Sequence, residues 1–154
     1  MSKFFQWLTI MLAALVMGVF WGTWFTLTRS IENFPPDSFL LIGKTIIKNV
    51  AVPMRILLPL TLLCMVILCL YFRKNTAQLY WNIGALILMI VTLLITVMIE
   101  VPIDNQIKTW NPETIPADWQ STRDYWESFH TARTFISLVG TAFFLWALLN
   151  RKST

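Results

Sequence analysis

Charge is what this chain has least of. Only 13% of its 154 residues are Asp, Glu, Lys or Arg, while 56% are hydrophobic, against roughly a quarter charged in ordinary soluble proteins. That balance argues against a water-soluble class and fits one integral membrane domain over residues 1–154. The two cysteines have no CxxC spacing. Cys64 and Cys69 lie five apart, on different faces of a helix, so they read as small packing residues and thiol redox chemistry has no foothold. With His130 the single histidine, the Glu-x-x-His element of di-iron bundles occurs only once, as Glu127 to His130, where such bundles carry it twice. There is no low-complexity stretch and no internal repeat, and the lack of a duplicated half argues against an alternating-access transporter.

What is present is four apolar runs, at about 4–28, 53–72, 79–101 and 126–149. Each approaches or exceeds the ~20 residues that an α-helix needs to cross a hydrocarbon core of ~30 Å. The fold class is therefore all-α, a four-helix transmembrane bundle. Lys3 followed by an apolar run has the layout of a signal peptide, but the length of the run argues for a retained first span. Pro53 and Pro59 predict a kink near the start of span two.

The charges are sorted by side. Lys3, Arg73, Lys74, Arg151 and Lys152 fall at one end of the spans. All eight acids, Glu32, Asp37, Glu100, Asp104, Glu113, Asp118, Asp124 and Glu127, fall at the other. Basic short loops stay cytoplasmic, which predicts both termini inside, two long loops outside, and residence in a bacterial inner membrane. The net charge of +4 thus reports topology, and no nucleic-acid partner is needed to explain it.

The first outer loop, NFPPDSFLLIGKTIIKN, offers Asp37 as an N-cap. Phe39, Ile42, Ile46 and Val50 follow at helical spacing with Lys44 and Lys48 between them, which predicts an amphipathic interfacial helix before span two. The second outer loop, 102–125, is rich in turn formers, and Ser121 with Asp124 resembles a capping box. Trp110, Trp119 and Trp126 are either interfacial aromatics or the lining of a site. Gly18 and Gly22 form a GxxxG pattern, which permits close helix packing within the bundle or between two copies in a homo-oligomer.

The stretch WESFHTARTF carries the chemistry. Glu127, His130, Thr134, Ser137 and Thr141 recur at steps of three and four, along one stripe of the last helix, with Arg133 at its flank. Thr92, Thr96 and Glu100 make a shorter stripe on span three. At 1.5 Å per residue, His130 and Glu100 both lie about 30 Å above the inner ends of their helices. An arginine in hydrocarbon needs a partner, and Glu100 is the natural one for Arg133. Arg55 reaches the same zone, as either anchor or site. Arg29 reads as a snorkelling anchor, and Glu127 either joins the cluster or pairs with Arg123.

These residues carry a resemblance. VPIDNQIKTW, then Trp119, Trp126, His130 and the Arg133–Thr134 pair, is similar to the pattern of small four-span membrane proteins grouped with the anthrone oxygenases, along essentially the whole chain. Asp104 followed by Asn105 stands where that pattern leads one to expect two asparagines. The resemblance implies conversion of an anthrone to an anthraquinone by dioxygen without metal or flavin, hence no cofactor. Such chemistry needs a base, a donor or cation for the enolate oxygen, and an apolar slot. On that basis His130 is expected as the base, with Arg133 holding the oxyanion and Glu100 beside them. Trp119, Trp126, Trp21 and Trp24 are expected as aromatic walls, and Asn105, Asp104, Glu127 and Arg55 around the substrate. The expected partners are membrane lipid and a small hydrophobic or aromatic ligand. The residues equally permit a non-catalytic membrane protein that binds a lipid, quinone or other small hydrophobe, or that supports a partner complex.

Overall fold

The computed structural model describes residues 2–149. Among them there is no strand. Helix α1 spans Ser2–Thr26 and is followed by a 3-10 turn, Thr28–Asn33. Helix α2 spans Pro36–Tyr71 and α3 spans Thr76–Ile95. A single π turn, Thr96–Glu100, joins α3 to α4, Val101–Thr109, and α5 spans Trp119–Leu149. Four helical stretches are long and apolar enough to cross a membrane: Lys3–Asn33, Pro36–Tyr71, Thr76–Thr109 and Trp119–Leu149. Lys3 and the Arg73–Lys74 turn share one end of the bundle, labelled inner, and the opposite end is labelled outer; Arg151 and Lys152 lie outside the described residues.

Three boundaries differ from those expected. The segment before span two is not a separate interfacial helix, because α2 runs unbroken for 36 residues. Its apolar face is directed at protein: Phe39, Leu40 and Ile47 are buried with Ile103, Ile107, Trp110 and Trp119 in an outer hydrophobic cluster. Lys44 Nζ donates to the Trp110 carbonyl and pins that extension to the second outer loop. Pro35 precedes the first helical residue, so Asp37 lies within the first turn and makes no cap bond, a place where its charge still suits the helix dipole. The second difference lies after span three, which continues as helix through Thr109 and shortens the expected loop at 102. The third is the last helix, which begins at Trp119. Ser121 is therefore inside the helix, donating its N–H to the Asp118 carbonyl at 3.0 Å, and the capping box does not form.

Pro102 explains the π turn. Proline has no N–H and its ring would strike the carbonyl four residues back in a regular helix. The preceding turn widens instead, with the Val101 N–H bonding to the Thr96 carbonyl, five residues back. The widening has a second effect. A step of four residues overshoots a 3.6-residue turn by about 40°, so Thr92, Thr96 and Glu100 would drift around a straight helix. The π turn takes part of that drift back, and Thr92 and Glu100 are both 0% exposed.

The inner half is solid. Val16, Met65, Leu68, Ala85, Met89 and Phe144 pack there at 0–1% exposure. Lipid tails are as apolar as this core, so close packing holds it. The buried positions of α5 include Trp119, Trp126, Arg133, Gly140 and Ala147, seven apart, and His130, Ser137 and Phe144, also seven apart. That is the seam of helices packed side by side. At Gly140 a Cβ would lie 3.2 Å from Leu88 Cβ and 3.5 Å from the Ala85 carbonyl oxygen, so glycine is what lets α3 and α5 meet. The GxxxG pair does not serve this purpose inside the bundle, since a Cβ at Gly18 or Gly22 would meet nothing within 4 Å.

Candidate functional site

Above the solid core the helices part around a cavity of about 230 Å³, large compared with the ~10–15 Å³ needed to admit one water. Its walls are mainly apolar, with Phe20, Met54, Leu58 and Leu93 among them. His130, Arg133, Asp104, Arg55 and Lys108 supply the charge and polarity.

The polar centre is assembled by α5 and the π turn. Arg133 points its Nη2 at Nδ1 of His130, one turn back, at 2.8 Å, and its Nε at the same nitrogen at 3.2 Å. Nη1 donates to Thr96 Oγ1 at 3.2 Å, and Nη2 lies 3.0 Å from Glu100 Oε2. The guanidinium carbon stands 4.8 Å from the centroid of the Phe20 ring, a cation–π contact that belongs to a desolvated cation. His130 is stacked on Trp126, with centroids 4.8 Å apart and planes 4° from parallel. The Glu100–Arg133 pair is thus as expected, and it is buried: Glu100 is 0% exposed and Arg133 is 8%.

Two features of this centre are unusual. Neither Glu100 oxygen accepts a well-aligned hydrogen bond, so the carboxylate is held by charge rather than by directed bonds. His130 Nε2 is also without a partner: the Phe20 backbone carbonyl is nearby, but no acceptor meets Nε2 in hydrogen-bond geometry. The tautomer follows from the arginine. A guanidinium only donates, so Nδ1, facing two of its nitrogens, must present its lone pair, and the ring proton resides on Nε2. The imidazole therefore has an N–H to give.

Asp104, one turn above Glu100, is half-buried and lines the cavity. Its Oδ1 accepts from Trp126 Nε1 at 3.2 Å, so Trp126 ties α4 to α5 while its face supports His130. Arg55 lines the cavity from α2 and is exposed. The remaining expected residues lie elsewhere. Trp119 is buried in the outer cluster, its ring 5.0 Å from that of Phe39. Asn105 is exposed and accepts from Lys108 Nζ at 3.0 Å. Glu127 is half-buried away from the cavity, and Arg123 pairs with Asp124 at 2.7 Å instead of with it. Trp21 and Trp24 pack with Phe135 on the flank of α1 and α5, and Trp24 Nε1 donates to Thr131 Oγ1 at 3.2 Å. Arg29 lies over Trp24 and Phe25, 5.6 and 5.4 Å from their centroids, as an anchor would. Thr134, Ser137 and Thr141 return their hydroxyls to carbonyls of their own helix at 2.7 to 2.8 Å, so the lower stripe is answered within α5. Sequence reasoning missed Phe20 and Lys108. Lys108 sits one turn beyond Asp104 and was reachable; nothing in the pattern marks Phe20.

No three of His, Cys, Asp and Glu come together as a metal site among the described residues. The sequence model of the anthrone oxygenase family matches residues 48–143. The chain belongs to the anthrone oxygenase family. The matched region contains Arg55, Glu100, Asp104, Lys108, Trp126, His130 and Arg133, every charged or aromatic group of the centre except Phe20. No match is found among curated proteins or among solved structures. Anthrone oxygenase membership therefore attaches to the part of the chain that builds the polar half of the cavity, while α1 closes it from the other side.

Proposed function

We propose that this protein is a membrane-embedded oxygenase that converts an anthrone-like ring ketone to the corresponding quinone in the outer cavity, with dioxygen as oxidant. One observation carries the reading: His130 and Arg133 line a mostly apolar cavity beside the Asp104 carboxylate, in a chain of this family. The reaction balances without a further reductant. Base removes a proton from the ring CH2, and the resulting carbanion, an enolate, gives its electrons to dioxygen and forms a C–O bond. The hydroperoxide then loses water, leaving the second carbonyl. One anthrone and one dioxygen give one quinone and one water.

The roles follow from which atoms accept and which donate. With Nδ1 occupied by the guanidinium, the neutral imidazole is a donor, and it stabilises the enolate oxygen together with Arg133. The proton goes to Asp104, whose Oδ1 is held by Trp126 and whose Oδ2 makes no hydrogen bond among the described residues. This reassigns the base from the histidine to a carboxylate. Glu100 touches no cavity space and is a positioning residue, holding Arg133 against His130. The placement of Lys3, Arg73 and Lys74 supports cytoplasmic termini and a cavity in the outer half of the membrane.

The test uses the full chain in lipid nanodiscs with dithranol, a dihydroxylated anthrone, following oxygen uptake and quinone absorbance together. Equal uptake and quinone formation above the uncatalysed rate is expected. Asp104→Asn should lower the rate by about 10²–10⁴-fold, the usual worth of a general base. His130→Gln, which retains an N–H donor, should keep more activity than His130→Ala. Full activity in Asp104→Asn with loss in both His130 variants would return the base role to the imidazole, and absence of any turnover would leave a binding protein.

A further inference from the structure

The cavity has a mouth, and its position is readable from exposure. Most of its wall is buried or half-buried, but Arg55 and Pro59 on α2, Val97 in the π turn and Lys108 on α4 line it and are exposed. All four lie along the seam between α2 and the α3–α4 helix, and no exposed lining residue comes from α1 or α5. The opening is thus lateral. Arg55 is 16 residues above Tyr71, about 24 Å along α2, which puts the mouth within the outer leaflet and not in bulk water. Its surroundings agree: Val52, Ile56 and Met98 beside it are 62%, 61% and 70% exposed, as lipid-facing apolar side chains are.

Arg55 is the anomaly there. It makes no hydrogen bond or ion pair with any described residue, although an arginine at membrane depth ordinarily has a partner. Pro59, with no N–H, also leaves the Arg55 carbonyl without its helical donor. We infer that the α2–α3 seam is a portal through which an anionic amphiphile passes from the outer leaflet into the cavity, its oxyanion meeting the Arg55 guanidinium and its apolar body entering past Val97. The occupant is a flat polycyclic acid. Lys108, further out on the same rim, adds a second positive charge along the path. This rests on the ligand-binding part of the function proposed above, but not on oxidation.

The experiment measures entry, not turnover. The full chain in nanodiscs is mixed with anthraquinone carboxylate or with unsubstituted anthraquinone, each preloaded in vesicles, and quenching of the protein's tryptophan emission is followed in time. Arg55→Gln should weaken binding of the carboxylate by about tenfold, the scale of one charge-assisted hydrogen bond, and leave the neutral quinone unchanged. Val97→Phe should slow entry of both probes, whereas Leu15→Phe, on the 51%-exposed flank of α1, should not. Discs enriched in phosphatidylglycerol separate two sources of the anion. Competition that disappears in Arg55→Gln assigns the guanidinium to a lipid phosphate at the gate, and no competition leaves it to the polycyclic acid itself. Equal rates in Val97→Phe and Leu15→Phe, or equal carboxylate affinity in Arg55→Gln and wild type, overturn the portal, as does absence of binding of either probe. Binding that obeys these rules with no oxygen uptake would keep the portal and discard the oxygenase.

Discussion

The inner and outer halves of this bundle are built from the same helices by different rules. In the inner half α3 and α5 approach until a glycine is required between them, and buried hydroxyls such as those of Ser137 and Thr141 are spent on their own backbone. In the outer half a π turn interrupts the third helix, a buried carboxylate receives no aligned hydrogen bond, and His130 Nε2 has no partner in hydrogen-bond geometry. Close packing in the first case answers most polar groups on the backbone and leaves two neutral amide atoms, Gln6 Nε2 and Asn82 Oδ1, without a partner. In the second, groups are left unanswered, which is expensive in a low-dielectric interior and makes sense where a ligand completes them. The difference is one of kind: the inner half leaves two neutral amide atoms unpaired, whereas the outer half leaves a carboxylate and an imidazole nitrogen unpaired beside a cavity.

That comparison can be broken in several ways, and the largest effect is expected at the ion pair. Arg133→Met leaves Glu100 as an uncompensated buried charge and should cost about 3–5 kcal/mol, against a smaller loss or none in the double variant Arg133→Met/Glu100→Leu, where both charges go. Thermal unfolding in detergent reads the stability and dithranol oxidation reads the activity. The double variant should recover stability without recovering turnover, and recovery of both would mean the pair serves structure alone. Next in size is Gly140→Ala, which forces the Leu88–Ala85 surface of α3 to give way and should cost about 1–3 kcal/mol through overpacking. Its effect should appear first as a lower melting temperature. Gly18→Ala, with open space beside it, should leave the melting temperature unchanged and serves as the matched control. Smallest is Ser137→Ala, which removes a hydroxyl bonded only within its own turn. A change of about 1 kcal/mol or less is expected, with the oxidation rate unaffected; a large loss of rate would extend the functional region into the inner half.

Much of this was legible in the sequence because bilayer thickness and helical period are strict constraints. Four runs of adequate length fixed the spans, and steps of three and four brought His130, Thr134, Ser137 and Thr141 onto the buried face. The requirement that an intramembrane arginine find a partner points to Glu100 from the sequence alone. What escaped were consequences of the third dimension. Trp126 heads the buried stripe in place of Glu127, a choice that period alone could not make because adjacent residues differ by only 100° on a helix. Trp21 and Trp24 have the composition of a binding wall but face the flank, and only the rotation of α1 against α5 decides that. Pro102 reads as the start of a loop, yet the chain absorbs it by widening one turn and continues as helix. The tautomer of the imidazole was hidden for a similar reason: spacing brings Arg133 within reach of His130, but not to a particular ring nitrogen.

The π turn has one more implication. It is a single surplus residue held within a membrane helix, so a gene that lost one codon between positions 96 and 99 would encode a chain that relaxes to regular winding there. Such a protein would still insert and cross the bilayer with its inner half intact. Seven regular steps from Thr92 would then bring the carboxylate to within about 20° of that threonine's bearing, so Glu100 would still face the fifth helix and the guanidinium would keep its counter-charge.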